Sequence, residues 1–137
     1  MKSLEYAESV KALQKADEAL KNAEYNLIGG YISTTANRAY YACYYSVIAA
    51  LYTQKVYAKT HQGARAKFAE LFIKTSVFPI EVSDSIAMLF DYRQEADYDL
   101  DEDITQEEAA ILISKSEDVF KLVREYVLKL IDSEIIK

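Results

Sequence analysis

One cysteine, one proline, three glycines and one histidine in 137 residues exclude much before any motif is sought. A lone cysteine, Cys43, cannot close an internal disulfide, and its place in an apolar run suits a reducing compartment. Few glycines and one proline leave few turn signals, which predicts long helices joined by short loops. Net positive charge is also missing. At -6 the chain has no broad basic face for duplex nucleic acid, although a local basic cleft remains compatible with that total. The longest apolar run, Ala39 to Tyr52, is broken by Ser46 and too short to span a bilayer. Met1 to Glu5 carries no apolar signal region. These absences lead to the expectation of a cytoplasmic protein with no membrane partner. There is no GxGxxG or Walker loop, no CxxC and no His-rich cluster, so no cofactor and no resident metal are expected.

What is present is helical periodicity. Apolar residues make up 51% and charged residues 28%, a globular balance in a chain long enough for one cored domain, 1–137. Ser3 can cap a first helix whose apolar stripe is Leu13, Ala16, Leu20, Ala23 and Leu27, ended by Gly29-Gly30. Ser33-Thr34-Thr35 offers caps for a second helix, apolar nearly all round from Ala36 to Tyr52, which places it at the centre of its domain or against a partner. Thr60 caps a third helix over 62–74, with Ala64, Phe68, Leu71 and Phe72 on its apolar face. Pro79 closes the loop from Thr75, and a fourth helix follows with Ile80, Val82, Ile86, Leu89 and Phe90 in register. Thr105 and Glu108 fit a capping box for a fifth, whose stripe runs from Leu112 to Ile131. Helices of about 20 residues extend roughly 30 Å, long enough for an all-α, up-and-down antiparallel bundle of four to five helices.

Against this pattern a few residues stand out. Continuing the spacing of the fourth helix puts Arg93 where a core residue is called for, then Ala96 and Asp97. An arginine is rarely buried without a partner, so Arg93 either pairs inside the fold, with Asp97 one turn on, or faces a cleft. In a cleft, Arg93 held by Asp97 would bind phosphate, with Tyr98 adding a hydroxyl or a stacking face. Arg38, near the start of the apolar second helix, either pairs with an acid of a neighbouring helix or adds a second guanidinium to an anion site. Tyr40, Tyr41, Tyr44 and Tyr45 form adjacent i,i+4 pairs whose hydroxyls need partners if buried, and packing in the core or a dimer interface ranks above base stacking. Lys59 and Lys67 read as solvated. Asp97, Asp99, Asp101, Asp103 and Glu108 follow EF-hand spacing, but Glu102 occupies the turn position that needs glycine, which favours an acidic connector over a calcium loop.

Three segments taken together, Asn37-Arg38-Ala39-Tyr40-Tyr41-Ala42, Lys59-Thr60-His61-Gln62-Gly63 and Arg93-Gln94-Glu95-Ala96-Asp97-Tyr98, resemble the HEPN family (higher eukaryotes and prokaryotes nucleotide-binding) in its short, stand-alone prokaryotic branch. The resemblance spans roughly residues 5–130. It implies a helical bundle acting as a homodimer, often beside a minimal nucleotidyltransferase in a toxin–antitoxin-like pair, and directed at RNA or a nucleotide. Many members resemble metal-independent endoribonucleases whose signature is an arginine followed about four to six residues later by a histidine. Arg93 matches that arginine. Asp97 and Tyr98 stand where the histidine would be, and the chain's only histidine, His61, lies upstream. The resemblance therefore implies Arg93, Asp97 and Tyr98 as catalytic candidates, with Arg38, Tyr41 and His61 as ligand-binding candidates. The alternative reading is a non-catalytic interaction module in which Arg93 makes a structural ion pair.

Overall fold

The computed structural model describes residues 5–98 and 104–136, and the side chains of all but 94–98 and 134–136. Five α-helices follow one another: α1 (Ala7–Ile28), α2 (Ile32–Tyr52), α3 (His61–Phe68), α4 (Ile80–Tyr98) and α5 (Gln106–Ile136). Among the described residues there is no strand, so the fold is all-α, as the periodicity predicts.

α2 packs against every other helix. From Ala39 to Tyr52 not one of its residues is exposed, which realises the expectation of a helix apolar on all sides. Small residues make the close approach feasible: Ala39, Ala42, Cys43, Ala49 and Ala50 are all 0% exposed. Two buried serines fasten the neighbouring helices to this axis. Ser9 Oγ of α1 donates to the Ala49 carbonyl and Ser116 Oγ of α5 to the Ala39 carbonyl, each at 2.8 Å. Each bond gives a buried hydroxyl a partner that an apolar interior otherwise denies it. Burial also pushes the Cys43 thiol up to about 12, so it sits in the core as a small apolar group.

Local chemistry sets most boundaries. Gly30 takes φ +80 after α1, the left-handed turn that glycine adopts without a Cβ penalty. Thr60 Oγ1 accepts the Gly63 amide at 2.9 Å and caps α3. Glu108 N donates to Thr105 Oγ1 at 3.0 Å while Thr105 N donates to Glu108 Oε1 at 3.3 Å, completing the reciprocal box at the start of α5.

Three expectations need correction or limits. Ser33, Thr34 and Thr35 do not precede α2. The helix starts at Ile32 with Tyr31 at its cap position, so these residues form its first turn, and Thr35 Oγ1 donates back to the Tyr31 carbonyl at 2.8 Å. Ile80 is 61% exposed although it fits the register of Val82, Ile86, Leu89 and Phe90, because it is the first residue of α4 and sits at the helix end. The third helical segment covers its predicted span with a change of winding: α3 passes into a π-helical turn over Ala69–Ile73, where Lys74 N reaches the Ala69 carbonyl at 2.9 Å. That wider turn carries Phe72 into an aromatic cluster with Phe68, Phe78 and Tyr126. Ser3 and 99–103, and with them most of the EF-hand-like spacing, lie outside the described residues.

Candidate active site

α2, α3 and α4 converge on one group of side chains. Thr60 sets the start of α3, so His61 is held at the first helical position beside α2. Tyr40 and Tyr41 sit side by side on α2, with Tyr44 one turn on. Arg93 comes from the C-terminal half of α4. Its Nη1 lies 2.7 Å from Nδ1 of His61 and 3.4 Å from the Tyr40 hydroxyl, and its Nη2 donates to the Tyr41 hydroxyl at 3.4 Å. The Tyr40 hydroxyl is itself 2.5 Å from the same His61 nitrogen. The guanidinium also stands over two aromatic faces, 4.8 Å from the Tyr40 ring centre and 5.5 Å from that of Tyr41. The His61 ring stacks on Tyr44 with centroids 4.1 Å apart.

Arg93 is thus half-buried rather than core, and the position that breaks the apolar register of α4 is spent on tyrosine and imidazole. The electrostatics follow from this packing. Burial, and then the Arg93 charge, hold the His61 imidazole below its ordinary 6.5, so it is neutral at pH 7. Burial pushes the Tyr40 hydroxyl up to about 12, with Arg93 pulling the other way. Tyr44 is raised by burial as well.

The remaining candidates divide. Tyr41 and His61 lie in the cluster. Arg38 lies beside it, its guanidinium 5.1 Å from the Tyr41 ring centre, with Nη2 donating to Asn37 Oδ1 at 2.8 Å. Among the described residues it pairs with no acid of another helix, contrary to the ion-pair expectation. Lys67 pairs with Glu70 at 3.1 Å on the surface, as a solvated lysine does. Asp97 and Tyr98 lie on the last turn of α4, and their side chains lie outside the described residues. Sequence reasoning treated Tyr40 and Tyr44 as packing. The signal that pointed further was the need of a buried phenol for a hydrogen-bond partner, which His61 supplies for Tyr40. No group of three or more His, Cys, Asp or Glu side chains among the described residues is arranged to hold a metal ion. No described helix is long and apolar enough to cross a membrane.

Comparison with known proteins bears on this cluster. The family model described as the HEPN domain matches residues 9–126, which includes α2, α3 and α4. A protein of Methanocaldococcus jannaschii named a "putative toxin" is 33% identical over 118 residues, covering 86% of this chain and 80% of its own length. A "UPF0332 protein" of Thermotoga maritima is 31% identical over 85 residues, covering 62% of this chain and 64% of its own length.

Proposed function

This chain belongs to the HEPN domain family, and from that premise we propose that it binds RNA at the Arg93–His61 pair and cleaves it without a metal ion. The observation that carries this reading is the 2.7 Å approach of Arg93 to His61, which brings an imidazole from α3 to the arginine of a motif lacking its own histidine. The chemistry is that of 2′-hydroxyl attack on the adjacent phosphorus. Arg93 offsets charge on the phosphorane oxygens, and His61 is the one described group beside it whose ordinary range lies near neutrality. Arg38 adds positive charge next to the pair, and the half-buried rings of Tyr41 and Tyr44 offer faces for an unpaired base. The name of the archaeal relative supports a place in a toxin–antitoxin-like pair, with a minimal nucleotidyltransferase as the partner protein and a homodimer as the working unit. A lone, deeply buried thiol suits the cytoplasm.

RNA incubated in chelator with the purified protein, beside Arg93→Ala and His61→Ala, tests this. The expected result is cleavage by the unaltered protein and a loss of about 100-fold or more in each variant. Equal cleavage by all three, or none by any, removes the catalytic role.

One observation favours a second reading. Arg93 packs over two tyrosine rings, which also suits structural glue in an interaction module. The stability of Arg93→Ala separates the two, as set out in the Discussion.

A further inference from the structure

We propose that Tyr40 is the positioning residue of this site: with Arg93 it fixes His61 as the tautomer protonated on Nε2, and so makes the resting site a donor-only receptor for a phosphate oxyanion. The proposal rests on the reading of the Arg93–His61 pair as a phosphate site, and it assigns the imidazole a direction of hydrogen bonding that the pairing alone leaves open.

A guanidinium has five N–H donors, no acceptor, and does not lose its proton in proteins. With Nη1 at 2.7 Å, Nδ1 of His61 must therefore present its lone pair. A phenol can serve either tautomer, since it both donates and accepts. Placed 2.5 Å from Nδ1 and 3.4 Å from Nη1, the Tyr40 hydroxyl accepts from the guanidinium and donates to the imidazole, tying the two together. Its own place is not adjustable. The Tyr40 side chain is 1% exposed, and its ring meets Phe90 and Tyr41 edge-on with centroids 5.0 and 5.2 Å away. Tyr44 stacks on the imidazole and fixes the plane of the ring.

The proton that Nδ1 lacks is on Nε2, which hydrogen-bonds to no described residue. Both charged and neutral members of the pair then offer N–H groups outward. An oxyanion is accepted there. A metal ion is not, because the one imidazole lone pair already faces Arg93. In the cleavage reading this makes His61 a donor to a phosphate or departing oxygen, not the base that removes the 2′-hydroxyl proton.

His61 is the only histidine in the chain, so its two ring nitrogens are unambiguous in a long-range ¹H–¹⁵N correlation spectrum of the full-length labelled protein. At neutral pH the expected spectrum is that of the Nε2–H tautomer, with the Nε2 signal moving on addition of inorganic phosphate. Tyr40→Phe should mix the tautomers and weaken the phosphate response about fivefold, the value of one hydrogen bond. An Nδ1–H tautomer in the unaltered protein overturns the proposal, as does an Nε2 signal blind to phosphate or a Tyr40→Phe protein identical to its parent. If Tyr40→Phe does not fold, Arg93→Gln serves: it should admit the Nδ1–H form, and an unchanged tautomer overturns the assignment. Failure to cleave RNA alongside the predicted tautomer and phosphate response would remove the nuclease reading while leaving this one standing.

Discussion

Arg93 occupies a position that the spacing of Val82, Ile86, Leu89 and Phe90 assigns to the core, and it is half-buried over two tyrosine rings. That a charge broke the register was legible in the sequence, because periodicity is a local property of one helix. That the charge would meet His61 was not, since the contact joins residues 32 apart in the chain and depends on how three helices cross. Two predictions belong at this scale. The His61 imidazole is held below 6.5, with burial the larger cause and Arg93 the second. Between the lowered folded value and 6.5 the unfolded chain binds the proton more readily. The stability linked to His61 is therefore fully present above 6.5 and is lost as pH falls through the folded value. Arg93→Ala should raise the His61 midpoint part of the way toward 6.5, read from the ring C–H resonances; a midpoint already at 6.5 or above in the unaltered protein would contradict the account. The same variant should lose only about 1–2 kcal/mol in urea unfolding, the scale of a partly desolvated cation–π contact. A loss of several kcal/mol would instead mark a buried pair left without its partner and favour the structural reading.

At the scale of the element, capping chemistry was legible and winding was not. Thr60 and the Thr105–Glu108 pair could be read as helix starts because a cap needs only its own neighbours in the chain. Ser33 to Thr35 misled for a related reason. Cap-forming residues also fit a first turn, and the left-handed Gly30 lets α2 begin earlier than they suggest. The π-helical turn over Ala69–Ile73 left no trace in spacing, because it answers to the packing of Phe72 against Phe78 and Tyr126 from elsewhere in the chain. The cap on α3 has a consequence for the site, since His61 is the residue that follows it. Thr60→Ala should cost about 1 kcal/mol, seen as a melting temperature lower by a few degrees. It should also loosen His61 against Tyr44, and an unchanged melting temperature would show that the start of α3 is held by something other than this cap.

At the scale of the molecule, the all-α class and a central second helix followed from composition and from the unbroken apolar character of Ala39 to Tyr52. The fastening of α1 and α5 to that helix by Ser9 and Ser116 was not legible, because a serine among apolar residues does not reveal which carbonyl it will reach. The aromatic cluster around Phe72, itself 0% exposed, joins the π-helical turn to α5. Phe72→Ala should therefore destabilise by about 3–5 kcal/mol in denaturant unfolding, as emptied aromatic sites do. The account's central claim is that Arg93 of α4 and His61 of α3 act as one unit on RNA. A double-mutant cycle of RNA cleavage in chelator, with Arg93→Ala, His61→Ala and the two combined, tests it most directly. The account predicts that the double variant is no worse than the more damaged single variant. Losses that multiply independently, or single variants that cleave as well as the unaltered protein, would contradict it.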